Sequence, residues 1–359
     1  MNRVTEHTGS KYPIIQAPMG WIARSQLASA VCNAGGFGVI ETSSGEVDNC
    51  KAEIEKMSEL TDQPFGVNLP LLFLRDESMV EFCVQHGVKF VTTSAGDPSK
   101  YIDILKYAGI TVYHAVPSVE GALKAANCGV DGLVVEGTEG GGFKSPEEVG
   151  LFVLIQAIRK EIDLPIIAAG GIADGAGMAA AFAVGAEGIQ MGTRFVSSKE
   201  SPVHENFKNQ IFESSINGTW ILNKTSKPVI RALRTDFTKD ILEAGEMDMS
   251  AMGKIQDLYF GGDKNAAPAL SGQSVGLIDG VKSDYLRFLE DSFDKLSDNA
   301  IILIDNSYWR GSFLDEKYIN KKSAKNILEL HDYLKTSKKF QSVFIPYKDG
   351  VSILRKLPT

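Results

Sequence analysis

The stretch PIIAAGGIADGAGMAAAFAVGAEGIQMGTRF at residues 165–195 decides the fold. It opens with a short apolar run, Pro165–Ala169, and turns at Gly170-Gly171. An alanine-rich helical segment follows, Asp174–Val184, which stops at Gly185, and a second apolar run covers Gly188–Gly192. Glycine after a helical segment is a natural stop. Runs this short and apolar on both faces suit strands of a parallel sheet covered on both sides.

The same beat extends back to the N-terminus. Further candidate strands are Tyr12–Met19, Phe37–Glu41, Phe65–Leu69, Phe90–Ser94, Thr111–Val116 and Gly132–Glu136, which makes eight in all. Helical patterns lie between them, among them Arg24–Ala34, which ends at Gly35-Gly36, and Pro146–Ile162, whose first turn is acidic. Eight strands alternating with helices predict an α/β fold, a (β/α)8 TIM barrel, with an open doubly wound sheet as the alternative. The rhythm breaks after the eighth strand. Residues 202–260 read as a small helical cap and residues 261–298 as a return to the barrel; residues 299–359 carry a short β-α-β-β appendage, with the barrel itself at 1–201. Charge changes along the chain too: the net charge is −8, the last 61 residues carry +5, and the first 298 therefore −13.

With 43% hydrophobic and 23% charged residues the composition is ordinary for a globular protein. The acidic balance argues against nucleic acid and anionic membranes as partners. Cys32, Cys50, Cys83 and Cys128 lack metal-ligand spacing and read as small buried apolar side chains in a reducing compartment. The N-terminus has no apolar leader pattern and no run reaches the ~20 residues needed to span a bilayer. The expected location is cytoplasmic.

A parallel barrel places its chemistry at the C-terminal ends of its strands. The unusual residues gather there: Gln16-Ala17-Pro18-Met19-Gly20, Asn68, Thr92-Thr93-Ser94, Glu136 followed by GTEGGG, Ala169-Gly170-Gly171, and Gln190-Met191-Gly192-Thr193. Glycines let backbone approach a ligand closely, and helix N-termini just after them favour phosphate. Gly-Gly-x-x-Asp-Gly is also compatible with a plain tight turn. The dinucleotide GxGxxG pattern and the phosphate-loop lysine motif are absent, so a mononucleotide fits better than a dinucleotide.

The stretches PIIQAPMGWIA, GGFGVIE, PFGVN, VEGTEGGG, the 165–195 segment and SGQSVGLI resemble the nitronate monooxygenase family, formerly called 2-nitropropane dioxygenase, which includes FMN-dependent enoyl-ACP reductases. The resemblance covers about residues 3–295. It implies FMN across the barrel mouth, with Ala17, Pro18 and Met19 along the flavin ring. Asn68 and Gln190 would hydrogen-bond the flavin, and Gly170, Gly171, Gly192 and Thr193 would hold the phosphate. Gly20, Thr93, Glu136, Gly141 and Ala169 complete the expected cofactor site. The chain departs from the family at one position. Many members carry a catalytic histidine after the triple glycine, and here Phe143 stands there, in GGGFKSP. His114 is the nearest alternative catalytic residue. Lys144 and Glu139 are read as solvated loop charges. A nitroalkane must lose a proton to a base before oxidation, whereas a nitronate is already an anion. The expectation is therefore oxidation of alkyl nitronates with O2. The alternative is an NAD(P)H-dependent flavin reductase acting on an enoyl thioester or a quinone. A non-catalytic scaffold assembled through its C-terminal appendage is a third reading, and homodimerisation is left open.

The tail, AIILIDNSYWRGSFLD at 300–315 and FIPYKDGVSILRK at 344–356, resembles the end of catechol and caffeoyl-CoA type O-methyltransferases. In that family the Asp-Asn pair, here Asp305-Asn306, ligates a divalent metal. The part that binds S-adenosylmethionine is missing, so no functional metal and no methyl transfer are expected from this chain alone.

Overall fold

The computed structural model describes residues 2–74, 77–278, 289, 293–305, 322–345 and 351–358. It divides into two units, Met1–Ile278 and Asp279–Thr359.

The first unit is the barrel. Its strands, in chain order, are β1 (Ile14–Gln16), β2 (Val39–Ile40), β3 (Gly66–Pro70), β4 (Phe90–Ser94), β5 (Thr111–Val116), β6 (Gly132–Glu136), β8 (Ile166–Ala169) and β9 (Gly188–Met191); β7 (Gly142–Lys144) lies outside it. The eight run parallel in the order β1-β9-β8-β6-β5-β4-β3-β2. The two edges meet at Ile15 and Phe37. There the Gln16 amide donates to the Phe37 carbonyl and the Phe37 amide to the Ile14 carbonyl, both at 2.9 Å.

Inward side chains fill the barrel with a dry plug of Ile15, Phe37, Val39, Phe90, Tyr113, Val134 and Ile167. Phe90 packs against both Phe37 and Tyr113 with ring centroids 5.0 Å apart. Outward side chains of the same strands pack under α2 (Ser25–Asn33), α3 (Val47–Leu60), α4 (Ser78–Gln85), α5 (Ile102–Tyr107), α6 (Val119–Asn127), α7 (Leu151–Glu161) and α8 (Gly175–Ala183). Both faces of the sheet are thus covered, which is why its strands read as apolar runs without alternation. A short helix not expected from the sequence, α1 (Arg3–Thr8), closes the barrel bottom: Val4 joins the interior plug, His7 Nδ1 lies 3.0 Å from the Tyr113 hydroxyl, and Arg3 pairs with Glu187 at 2.5 Å.

The segment after the eighth barrel strand contains α9 (Thr193–Val196), α10 (Glu205–Glu213), α11 (Asp236–Ala244) and α12 (Ile255–Tyr259). It also contains a hairpin, β10 (Thr219–Leu222) and β11 (Val229–Leu233), and β11 pairs antiparallel with β7 to form a second, three-stranded sheet. Phe207, Ile211, Leu258, Tyr259 and Val275 build a separate core with Ile22, Leu27 and Val196 at the barrel mouth.

The second unit holds β12 (Ile301–Asp305), α13 (Lys322–Thr336), β13 (Phe340–Ile345) and β14 (Val351–Lys356). Its antiparallel sheet runs β12-β14-β13. Leu289, Phe293, Ile304, Leu330, Leu334, Phe340 and Leu354 form its core. Asp305 ends β12, and Asn306 lies outside the described residues.

Candidate active site at the barrel mouth

Five loops converge where the barrel strands end. A side-chain carbon placed on Gly192 would touch the Met19 sulfur at 3.6 Å and the Ala17 methyl at 3.7 Å, so the loop after β9 lies over the loop after β1. Gly170 and Gly171, after β8, adopt φ of +100° and +72°, a region costly for other residues. A side chain at Gly170 would also meet the Gly140 amide nitrogen at 2.9 Å, which presses this turn against the triple-glycine loop. That loop rests on the 271–273 segment, where the Gln273 amide donates to the Glu139 carbonyl at 2.8 Å and the Gly272 amide to the Thr193 hydroxyl at 2.9 Å.

On the far side of the mouth, the Asn68 amide donates to Thr92 Oγ1 at 3.0 Å and to the Thr92 carbonyl at 3.2 Å. Gln190 is half-buried, and its amide has no hydrogen bond among the described residues. Thr93 and His114 face each other in the β4–β5 register, and the Thr93 hydroxyl lies 2.7 Å from His114 Nδ1. His114 is 6% exposed, and burial pushes its pKa down to about 4. Its ring is therefore neutral near pH 7, with one nitrogen engaged. Ala17, Pro18, Met19, Gly20, Ala169, Gly170, Gly171, Gln190, Gly192 and Thr193 thus border one region. Asn68 lies at its opposite edge, and Thr93 and His114 lie in the barrel wall.

Glu136 ends β6 beside Gly137, and its carboxylate pairs with the Lys144 ammonium. Lys144 is not the solvated charge expected from the sequence: its side chain is 3% exposed. The antiparallel register of β7 with β11 explains this. Phe143 opposite Ile230 and Lys144 opposite Val229 must point to opposite faces. Phe143 turns out, 45% exposed, with its ring 6.1 Å from Phe73; Lys144 turns in. Glu139 is not free either. Its two carboxylate oxygens accept from the Leu151 amide at 3.1 and 3.0 Å, at the first residue of α7. Glu41, at the end of the second strand and wholly buried, was missed altogether as a site-building residue. It accepts from the amides of Trp21 at 3.0 Å, Ser43 at 2.6 Å and Ser44 at 3.0 Å, and pairs with Arg24 at 2.8 Å. This locks the loop after β1, in which Trp21 has φ of +62°. The sequence signal was a lone charge closing the apolar run GGFGVIE.

Burial raises the thiol pKa of Cys32, Cys50 and Cys83 above its ordinary value, so these behave as small apolar groups. Among the described residues no helix is long and apolar enough to cross a membrane, and no group of three or more His, Cys, Asp or Glu could hold a metal ion.

Comparison with known proteins agrees with this geometry. Residues 2–79 and 73–257 match the nitronate monooxygenase family, and residues 269–357 match the O-methyltransferase family. The chain is 32% identical over 244 residues to (3aS,4S,5R,7aS)-5-hydroxy-7a-methyl-1-oxo-octahydro-1H-indene-4-carboxyl-CoA dehydrogenase of Rhodococcus jostii, covering 68% of this chain and 69% of the relative. It is 30% identical to the nitronate monooxygenase of Paraburkholderia phytofirmans, covering 64% of this chain and 75% of the relative. The solved structure of FabK from Thermotoga maritima superposes with a TM-score of 0.74 at 37% identity, over 82% of this chain and 98% of that one. An eight-stranded parallel barrel with this mouth and these relatives leaves one conclusion: the chain belongs to the nitronate monooxygenase family.

Proposed function

We propose that this chain is an FMN-dependent oxidoreductase that oxidises alkyl nitronates with O2. The residues at the mouth fit a bound flavin mononucleotide. The buried Ser271 hydroxyl has no partner among the described residues, beside a Gly272 whose amide donates to the Thr193 hydroxyl. A buried hydroxyl without a protein partner beside the phosphate-type glycines is compatible with a ligand oxygen there. Gly170, Gly171, Gly192 and Thr193 would hold the phosphate with backbone and hydroxyl donors, with Gly141 closing the loop over it. Ala17, Pro18, Met19 and Gly20 would lie along the ring. Gln190 and Asn68 would meet its polar edge, with Thr93, Glu136 and Ala169 behind. When bound, FMN supplies the electron acceptor.

The observation that carries the substrate choice is the absence of an imidazole at position 143. Phe143 cannot take a proton, and His114, with a pKa near 4 and Nδ1 held by Thr93, is a poor base at neutral pH. We assign His114 a role in bracing β4 against β5. An anionic nitronate needs no deprotonation, so these residues need only bind and orient it. A small-molecule substrate and O2 are the expected partners.

A second reading, an NAD(P)H-dependent flavin reductase of an enoyl thioester or a quinone, draws support from the exposed apolar strip of Leu72, Phe73 and Phe143. It also draws on the CoA dehydrogenase among the relatives. The absorbance spectrum of the anaerobic protein separates the two. Bleaching of the flavin band by propane-2-nitronate, and not by NADH or NADPH, is the expected outcome. Rapid bleaching by a nicotinamide would favour the reductase, and a protein that cannot take up FMN would end both.

A further inference from the structure

The Lys144–Glu136 pair ends β6 on the mouth side of the barrel, and its lysine, enclosed rather than solvated, has no part in the site described so far. Both side chains line one cavity with Pro117, Gly137, Thr138 and Phe143. The Glu136 side chain is 36% exposed, while that of Lys144 is almost fully enclosed. An ammonium carries three donors. Among the described residues Lys144 makes one side-chain hydrogen bond, to Glu136. Its other donors meet no protein acceptor among the described residues. Gly140 is what makes room for the pair: a side chain there would come within 2.6 Å of the Lys144 nitrogen. Gly140 in turn presses on Gly170, at the end of β8. The ammonium therefore sits one glycine away from the turn at the centre of the mouth. An ion pair with one partner more than a third exposed contributes little to stability, so stability alone gives little reason for this one.

We propose that Lys144, positioned by Glu136, recognises the anionic end of the substrate. Its free N–H groups donate to the oxygens of a nitronate or of an isosteric planar anion such as a carboxylate. This rests on the reading of the mouth as the substrate site and deepens it. A chain without a base at position 143 selects the substrate that is already charged, and Lys144 supplies the complementary charge. Glu136 holds the ammonium in place while leaving donors unused. No proton changes hands.

The test uses the full-length flavin-loaded protein, with isobutyrate as an unreactive analogue of propane-2-nitronate. Binding is followed by calorimetry and by perturbation of the flavin spectrum, and the nitronate KM is measured in parallel. Lys144→Met combined with Glu136→Gln removes both charges and so leaves no lone buried ion. It is expected to weaken isobutyrate and raise the nitronate KM on the order of tenfold or more, the loss of a charge-assisted hydrogen bond. Lys144→Arg keeps the charge and is expected to retain binding within about threefold, a smaller loss than that of a full charge-assisted bond. Unchanged isobutyrate affinity in the double variant, or no isobutyrate binding by the unmodified protein, would overturn the proposal. An unmodified protein that oxidises no nitronate yet binds isobutyrate through Lys144 would remove the nitronate reading and leave this anion site standing.

Discussion

At the scale of single residues, His114 links burial to pH. Its pKa of about 4 lies below the ordinary 6.5, so the unfolded chain takes up the proton first as pH falls. The stability gained from keeping the ring neutral is complete above about pH 6.5 and is lost as pH falls from there through about 4. The span corresponds to on the order of 3 kcal/mol. His114→Gln removes this linkage. Thermal midpoints between pH 7 and 4.5 should fall less steeply in the variant than in the parent protein, and parallel curves would assign the acid sensitivity elsewhere. At the same scale, Phe143 was legible as a departure, because a missing histidine is visible in a string of letters. The inward turn of Lys144 was not. It depends on the pairing of β7 with β11, a contact between residues about 85 positions apart that no local pattern announces.

At the scale of elements, strands five and three residues longer than the observed β1 and β2 were read at Tyr12–Met19 and Phe37–Glu41. The runs at Phe90–Ser94, Thr111–Val116 and Gly132–Glu136 are the strands themselves. The difference is physical: apolar character continues past the hydrogen-bonded core into the loops that build the mouth. The hairpin β10–β11 and the strand β7 were not separated out, since three to five residues are too few to show a period. The helix read at Pro146–Ile162 begins only at Leu151. Glu148 takes a left-handed φ of +51° and ends the turn before it. The start is fixed instead by Glu139, whose carboxylate receives the Leu151 amide because the preceding Gly150 offers no side-chain cap. Glu139→Ala should then lower stability by about 1–2 kcal/mol in urea unfolding, the usual loss for a helix cap. A change within measurement error would mean that water serves that amide equally well.

At the scale of the whole molecule, the chain has two units with separate cores, one of them small. A core of that size supplies limited stability by itself. Calorimetry is expected to resolve two transitions, with the 279–359 unit melting first. A chain ending at residue 278 is expected to keep its upper transition and its flavin. Loss of flavin on that truncation would instead assign the appendage a part in the site, and a change in oligomer size would favour the scaffold reading. One detail of the barrel carries further. Around most of the ring each strand is laced to the next by several pairings, but between β1 and β2 the join is the bridge at Ile15 and Phe37. A hoop slackens first at its thinnest join, so protection from hydrogen exchange should be lowest there among the barrel amides. The residues just beyond that join are Ala17, Pro18 and Met19, the ones expected along the flavin ring. The part of the barrel that breathes most easily is therefore the part against which a planar cofactor would slide in, and a seated cofactor would act as the clasp.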